Sequence, residues 1–257
     1  MTAIHPSSVI DPSAILHDGV EVGPFCHIGP HVEIGSGTRL LGHVTIAGPS
    51  RIGEGNIFYP YCSIGHRSQD LKYSAEPTYL EIGNNNSFRE FCTVNRGTLP
   101  ESKTIIGHHG NFLAYSHIAH DCTVGDHVIF SNNGTIAGHV HVEDHVIIGG
   151  LSGVHQFCRL GQHSIVGGCT KIVQDVPPFM IADGNPAEVR GINQVGLERR
   201  GFSTEDTRTL REAYRLLYRS NLNVKQACEK ISLDFSGPDV IARLLAFVES
   251  SQRGIIR

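Results

Sequence analysis

The chain has 257 residues, of which 40% are apolar and 18% charged, a composition that favours a folded core over intrinsic disorder. It contains no apolar run of about 18 residues and no basic N-terminal stretch leading into an apolar one, so we expect neither an integral membrane segment nor a secretory signal. Residues 1–189 carry a net charge of −8 and residues 190–257 a net charge of +4. This asymmetry argues against nucleic-acid binding by the body and suits an acidic partner at the C-terminal end.

An apolar residue recurs at every sixth position from Ile4 to Ile172. Of these 29 positions, only Asp70, Glu76 and Pro100 depart from the pattern. A period of six matches neither the 3.6 of a helix nor the 2 of a plain strand, and it favours short strands joined by tight corners that stack into a solenoid. Glycine follows the apolar residue at eleven of the positions, so we expect glycine or another turn-tolerant residue at the corners.

The repeat resembles that of the hexapeptide-repeat acyltransferases. Their fold is a left-handed parallel β-helix of triangular cross-section, with three hexapeptides in each coil. The handedness and the coil length come from this resemblance, whereas the period alone indicates only a β-solenoid.

Two segments interrupt the repeat, at about residues 66–81 and 97–104. Ile64 and Ile82 are three hexapeptide lengths apart, so we expect one coil length of sequence to form a projecting loop between them. Loops on a rigid scaffold are common places for binding residues.

The pattern changes after Ile172, first to a proline-rich stretch and then to helical periodicity. Ser203 is expected to cap a helix that runs to about residue 219, a second helix follows at about 223–232, and Pro238 suits the start of a third. We therefore predict a β-helix over residues 1–189 and an α-helical domain over residues 190–257.

Five of the seven cysteines occupy the small-residue position of the repeat, where they fill the core. Cys26 and Cys62 are two coils apart, roughly 10 Å at the usual strand spacing, which exceeds disulfide reach. This pattern is typical of a reducing, cytoplasmic protein.

A coil of three hexapeptides stacks Gly138 above His120 and His139 above Asp121, and it brings His155 to the same wall. Acyl transfer to a hydroxyl needs a base that titrates near neutral pH and a donor for the oxyanion. His120 and the Gly138 amide fit these two roles. Adjacent residues of a strand face opposite sides, so Asp121 can orient His120 only if the pair lies at a corner.

A second column of imidazoles, His109, His127, His145 and His163, recurs once in every three hexapeptides. We expect these residues to stack as a neutral surface ladder. Stacked imidazoles resist simultaneous protonation, so a loss of stability below about pH 6 is one consequence, and metal binding at a subunit interface is the alternative.

Beyond the repeat, the chain resembles the acyl carrier protein-dependent UDP-N-acetylglucosamine O-acyltransferases, which catalyse the first step of lipid A synthesis, over essentially its full length. The matching stretches are QDLKY (69–73), RGT (96–98), HIAHDCTVG (117–125), AGHV (137–140), VHQFC (154–158), VGGC (166–169), QDVPPF (174–179), GNPA (184–187), RRGFS (199–203) and the terminal RGIIR. One departure is Asn95, where the family commonly has histidine, and no role is carried over to it.

The resemblance implies that His120 is the general base, that Asp121 orients it and that Gly138 stabilises the oxyanion. It also implies a set of substrate-binding residues: Asp70 and Lys72 on the loop, His117, His139, His155 and Gln156 along the cleft, Gly168 at the end of the acyl chain, and Asn193 and Arg199 toward the nucleotide or carrier. It further implies a cytoplasmic homotrimer that uses UDP-N-acetylglucosamine and acyl carrier protein, with no tightly bound cofactor and no metal.

Several alternatives remain open at this point. Some relatives acylate a 3-amino group, and other hexapeptide acyltransferases share the solenoid. The spacing of His117, His120 and His139 also resembles the ligand set of a trimeric zinc carbonic anhydrase. A non-enzymatic scaffold is the last alternative, although a helical cap would block end-to-end stacking of coils.

Overall fold

The solenoid is built from very short strands, most of them only a pair of residues in length. The computed structural model describes residues 2–235, Gly237 and residues 239–257. Its strands in chain order are β1 (Ala3–Ile4), β2 (Val9–Ile10), β3 (Ile15–Leu16), β4 (Glu21–Val22), β5 (His27–Ile28), β6 (Val32–Ile34), β7 (Arg39–Leu40), β8 (Thr45–Ile46), β9 (Ser50–Ile52), β10 (Ile57–Phe58), β11 (Ser63–His66), β12 (Tyr79–Ile82), β13 (Ser87–Phe88), β14 (Thr93–Asn95), β15 (Lys103–Ile106), β16 (Asn111–Phe112), β17 (His117–Ile118), β18 (Thr123–Val124), β19 (Ile129–Phe130), β20 (Thr135–Ile136), β21 (His141–Val142), β22 (Ile147–Ile148), β23 (Gly153–Val154), β24 (Arg159–Leu160), β25 (Ile165–Val166), β26 (Lys171–Ile172), β27 (Met180–Gly184) and β28 (Ala187–Ile192).

Every third strand belongs to the same sheet, so the chain winds over three faces in turn. One sheet begins β1-β4-β7, the second β2-β5-β8 and the third β3-β6-β9, and all pairings within the coils are parallel. The apolar residue of each hexapeptide points inward, as Ile118 and Ile136 do when they pair across neighbouring coils in full burial. The predicted left-handed parallel β-helix with C-terminal helices is confirmed.

The lengths of the two inserted loops differ from the expectation. A regular coil spans three hexapeptides, as in the pairing of Ile118 with Ile136. Ile64 instead pairs with Val94, five hexapeptide lengths further on, and Val94 pairs with Ile118, four lengths further on. The first loop therefore inserts two hexapeptide lengths and the second inserts one, so the expectation of a full coil length in the first loop was wrong. The two insertions together make one coil length, and the hexapeptide phase continues unchanged beyond them.

Many corners carry bulky residues, where glycine or another turn-tolerant residue was expected. Twenty of the described residues other than glycine have a positive φ, among them Phe25, His127 and Leu151 at 55–59°. The recurring glycines lie two positions earlier, where a Cβ would meet the next coil: at Gly23 it would stand 2.3 Å from a backbone oxygen. Glycine is thus needed for close approach between coils, and bulky residues accept the left-handed conformation at a usual cost of about 1–2 kcal/mol.

The side chains at these corners stack from coil to coil. One corner carries Phe25, His43, Tyr61, Phe91 and Tyr115, with successive ring centroids 4.9–5.0 Å apart. The predicted ladder of His109, His127, His145 and His163 runs along another corner, with centroids 4.6–4.9 Å apart. Ring stacking of this kind offsets part of the conformational cost of the corners.

The imidazole ladder ends inside the protein rather than at its surface. His163 is only 8% exposed, its Nδ1 has no hydrogen-bond partner among the described residues, and Phe202 packs edge-on against its ring. Burial, with the neighbouring His145 and Arg200, lowers the pKa of His163 to about 4. The ladder is therefore a surface feature at its His109 end and a core feature at its His163 end.

The C-terminal part begins on the solenoid itself. Strand β27 extends the first sheet, and β28 pairs with it antiparallel, so the predicted boundary at residues 189/190 falls within β28. The helices are α1 (Gln194–Arg199), α2 (Thr204–Tyr218), α3 (Val224–Asp234) and α4 (Asp239–Glu249). Ser203 caps α2 in a capping box with Asp206, as predicted, whereas Pro238 lies outside the described residues. No helix in the described part of the chain is long and apolar enough to cross a membrane.

We expect the buried end of the ladder to make stability depend on pH. Because the folded state holds the pKa of His163 near 4 while the unfolded value is about 6.5, the unfolded state binds a proton first as the pH falls. His163 should therefore lower the free energy of unfolding by roughly 2 kcal/mol between pH 7 and pH 5. Urea titrations at both pH values would measure this loss.

The matched substitutions are His163→Phe and, at the exposed end, His109→Phe. His163→Phe should shrink the pH-dependent loss by that amount, because phenylalanine stacks without titrating, and His109→Phe should leave it nearly unchanged. Equal pH dependence in wild type and His163→Phe would contradict the assignment.

Candidate active site

His120 and Asp121 lie together at a corner of the solenoid, directly after β17. Asp121 has a φ of 59°, and this turn lets its carboxylate reach back to the imidazole of the preceding residue. His120 Nδ1 is 2.8 Å from Asp121 Oδ2, and both side chains are largely buried, at 12% and 8% exposure. The pair therefore lies at a corner, which is the position that Asp121 needs in order to orient His120.

The hydrogen bonds of Asp121 keep it ionised. Burial acts to raise the pKa of its carboxyl, but hydrogen bonds from His120, Ser102 and Thr98 outweigh burial and hold that pKa well below its usual range. The anionic carboxylate is therefore the natural acceptor for the proton on His120 Nδ1. Among the described residues nothing hydrogen-bonds His120 Nε2, so the lone pair of a base is free on that side.

Gly138, one coil above, packs directly on the His120 ring. A Cβ built at residue 138 would lie 2.5 Å from Nε2 and 2.4 Å from Cε1. Within the described part of the chain, no acceptor is hydrogen-bonded to the Gly138 N–H, whereas the next residue, His139, donates its N–H to the His120 carbonyl at 3.1 Å. The free lone pair thus stands beside a backbone amide that can bind a developing oxyanion.

Two further histidines lie around the pair. His139 stacks on Phe157 with centroids 4.6 Å apart, and its Nε2 is 3.7 Å from Asp121 Oδ2. His117 holds Thr93 Oγ1 at 2.7 Å through Nδ1, and burial followed by the charge of His120 lowers its pKa. Both rings are thereby fixed in position. The lowered pKa of His117 favours its neutral form.

The first inserted loop and Asn95 enclose a cavity of about 490 Å³, and one of its lining residues, Ser68, contacts Thr98, which in turn contacts His120. Asp70 is half-buried there and accepts the Lys72 N–H through Oδ1 at 2.9 Å, while the Lys72 side chain is exposed. Asn95 is buried at the base of the loop, where its Nδ2 donates to the Arg67 carbonyl at 2.8 Å and its Oδ1 accepts from Gln69. Asn95 therefore holds the loop in place, a role that the sequence left unassigned.

The remaining predicted residues do not join this cluster. His155 and Gln156 are exposed one coil further on, and Gly168 is exposed near the end of the solenoid. Asn193 is buried and both atoms of its amide are engaged, Oδ1 as the cap of α1 and Nδ2 on the His163 carbonyl. Arg199 is exposed at the last residue of α1. Substrate binding by these residues stays a prediction.

The set of residues able to hold a metal differs from the one considered from the sequence. His120, Asp121 and His139 present ligand-type atoms within 4.8 Å of one another, so that Asp121 takes the place of His117. The 2.8 Å contact between His120 Nδ1 and Asp121 Oδ2 suits proton sharing between imidazole and carboxylate, whereas His139 Nε2, at 3.7 Å from Oδ2, is too far for a hydrogen bond.

Sequence reasoning missed the residues that hold the pair from the second loop. Ser102 donates to Asp121 Oδ1 at 2.6 Å, and Thr98 Oγ1 lies 2.8 Å from His120 Nδ1. The RGT motif contained Thr98, but Ser102 follows no repeat and belongs to none of the motifs. No signal in a single sequence could have placed it here.

A free imidazole nitrogen, an orienting carboxylate and an unpaired amide on one wall of a triangular hexapeptide solenoid define an acyltransferase of the hexapeptide-repeat class. A family model described as UDP N-acetylglucosamine O-acyltransferase, domain 2, matches residues 175–256, and the six-repeat bacterial transferase hexapeptide model matches residues 13–48.

The full-length relatives are more specific. The acyl-[acyl-carrier-protein]–UDP-N-acetylglucosamine O-acyltransferases of Thermodesulfovibrio yellowstonii and Saccharophagus degradans are 46% and 48% identical to the chain over 258 residues, covering all of each sequence. The crystal structure of the UDP-N-acetylglucosamine O-acyltransferase of Moraxella catarrhalis matches with a TM-score of 0.94 at 44% identity and 99% coverage of both chains. The chain belongs to the acyl-[acyl-carrier-protein]–UDP-N-acetylglucosamine O-acyltransferase family.

We expect Gly138→Ala to inactivate the site without unfolding the protein. The new Cβ would overlap the His120 ring, which must rotate away from both the amide and its carboxylate. A loss of kcat of about 100-fold or more is expected, the usual worth of a positioned general base. Steady-state kinetics with UDP-N-acetylglucosamine and an acyl carrier protein thioester would measure this loss.

Gly191→Ala is the matched control, because a Cβ at residue 191 meets nothing within 4 Å. It should retain wild-type kcat. Wild-type turnover by Gly138→Ala would contradict the placement of the base.

Proposed function

We propose that the protein transfers a 3-hydroxyacyl group from acyl carrier protein to the 3-hydroxyl of the glucosamine in UDP-N-acetylglucosamine, the first step of lipid A synthesis. The observation that carries the proposal is the free His120 Nε2 beside the Gly138 amide, with Nδ1 held by an ionised Asp121. Family membership supports the choice of substrates.

In the proposed reaction, His120 Nε2 takes the proton of the sugar hydroxyl as its oxygen attacks the thioester carbonyl. The Gly138 N–H stabilises the oxyanion of the tetrahedral intermediate, and Asp121 stabilises the imidazolium. When the intermediate collapses, the carbon–sulfur bond breaks and the imidazolium returns its proton to the carrier thiolate. All these groups come from the chain, so the mechanism needs no tightly bound cofactor.

The binding roles are those that the family resemblance implies. Asp70 and Lys72 on the first loop are suited to the sugar and phosphates, with His117, His139, His155 and Gln156 along the cleft. Arg199 would act on the nucleotide or carrier side, whereas Asn193, buried with both amide atoms engaged, would act there only by fixing the start of α1. The basic helical domain suits acyl carrier protein, which is acidic. A cytoplasmic location fits this donor, and it is supported by seven cysteines that are all free within the described residues.

The acyl length is expected to depend on Gly168. This residue is exposed, and a Cβ there would meet only the Gly150 carbonyl at an ordinary 3.5 Å. A glycine at this position leaves room for a long chain.

The reaction is tested by incubating the protein with UDP-N-acetylglucosamine and a mixture of 3-hydroxyacyl carrier proteins of different lengths, and by identifying the products by mass spectrometry. A single acylated sugar nucleotide is expected, and its mass gives the chain length. Product only with the 3-amino analogue of the acceptor would move the protein to the amine-using relatives. No product with either acceptor would overturn the proposal.

We also propose that the protein works as a homotrimer, as the family resemblance implies. The exposed apolar residues of one corner, Phe25, Tyr61, Phe91, Tyr115 and Leu151, support self-association, because a row of apolar side chains, here interrupted only by His43 and Asn133, is costly to leave in water. Sedimentation equilibrium should give about three times the 28.0 kDa mass of the chain. A mass of one chain at micromolar concentration would contradict the proposal.

A further inference from the structure

The two inserted loops meet each other at His120. Ser68 of the first loop and Thr98 of the second have their hydroxyl oxygens 2.6 Å apart, and Thr98 Oγ1 is in turn 2.8 Å from His120 Nδ1. Ser68 and Thr98 are 6% and 2% exposed, so this contact is sealed from solvent. The proton on His120 Nδ1 points to Asp121 Oδ2, so Thr98 Oγ1 shares it as a second acceptor and directs its own proton to Ser68. A continuous line of hydrogen bonds therefore joins the loop that carries Asp70 to His120.

The second loop also holds the carboxylate of Asp121. Its Oδ1 accepts from Ser102 Oγ at 2.6 Å and from the Thr98 N–H at 3.2 Å. With both donors on Oδ1, the other oxygen, Oδ2, is left for His120. Hydrogen bonds to a carboxylate are stronger than those between neutral groups, so these two donors fix the rotation of the side chain.

The strands of the solenoid provide no comparable support. Asp121 lies at a left-handed corner rather than in a strand, so the ladder does not fix the direction of its side chain. Within the described part of the chain, every hydrogen-bond donor to its carboxylate other than His120 comes from residues 98–102. The orientation of the pair thus depends on an insertion of a single hexapeptide length.

We propose that Thr98 and Ser102 are positioning residues for the His120–Asp121 pair, with Ser68 holding the Thr98 hydroxyl in place. The proposal rests on the proposed function, in which His120 is the base. Neither hydroxyl touches the reacting atoms; both act through the pair, so they should change kcat and leave substrate binding alone.

The test uses Thr98→Val, which keeps the shape and the backbone N–H but removes the hydroxyl, Thr98→Ser, which keeps the hydroxyl, and Ser102→Ala. We expect Thr98→Val and Ser102→Ala each to lower kcat about tenfold, the usual effect of losing one hydrogen bond to a group that is charged, as Asp121 is, or becomes charged in the reaction, as His120 does. Thr98→Ser should stay within about threefold of wild type. Calorimetry should give the same Kd for UDP-N-acetylglucosamine in all of them.

The double variant tests whether the two hydroxyls act on one unit. Independent effects would multiply to about a hundredfold, whereas residues that hold the same pair should lose much less than that in combination. Thr38→Val is the control, at a position several coils away from His120. It removes a hydroxyl that is as deeply buried as that of Thr98 and that donates to the Gly53 carbonyl. This variant should retain wild-type kcat.

Three results would overturn the proposal. The first is an unchanged kcat in Thr98→Val and Ser102→Ala. The second is an equal loss of kcat in Thr98→Val and Thr98→Ser, which would indicate a packing role, and the third is a raised Kd at unchanged kcat, which would indicate sugar binding. Turnover by the wild-type protein is measured first. A wild type that forms no product refutes the proposed function, and only an active wild type with one of these three results refutes the positioning role.

Discussion

The backbone ladder between successive coils is the constraint on which the rest of the molecule depends. Each coil hydrogen-bonds to the next in parallel register, and the regular offset of three hexapeptides decides which side chains are neighbours. The offset stacks the apolar residues into one core, and the same offset stacks the corner residues into ladders of rings. It also sets His120 beneath Gly138, so the chemistry of the site is a consequence of the ladder.

Features that follow this offset could be predicted from the sequence. The hexapeptide period predicted the solenoid, and counting three hexapeptides from His120 found Gly138. Counting also found the imidazole ladder, because the His column keeps one phase over four coils. These predictions succeed because a repeated local geometry converts sequence distance directly into spatial distance.

Contacts that do not follow the three-hexapeptide offset were not predictable from one sequence. Ser102 reaches Asp121 from an insertion, whose path follows no period. The burial of His163 depends on Phe202, which arrives from the helical domain. The amide of Asn193 is engaged as a helix cap for the same reason, since its partners lie in α1 and at the end of the solenoid. The lengths of the two insertions were also hidden, because they are both multiples of six and preserve the phase.

The coils impose a unit of length on the whole enzyme. Several coils lie between His120 and the helical domain, each adding about 4.8 Å along the axis. A duplication or deletion of one whole coil between them would preserve the strand pairing of the solenoid. It would nevertheless move the basic helices by about 4.8 Å relative to His120. The distance between the helical end and His120 can therefore change in evolution only in discrete steps, whereas the loops can vary residue by residue.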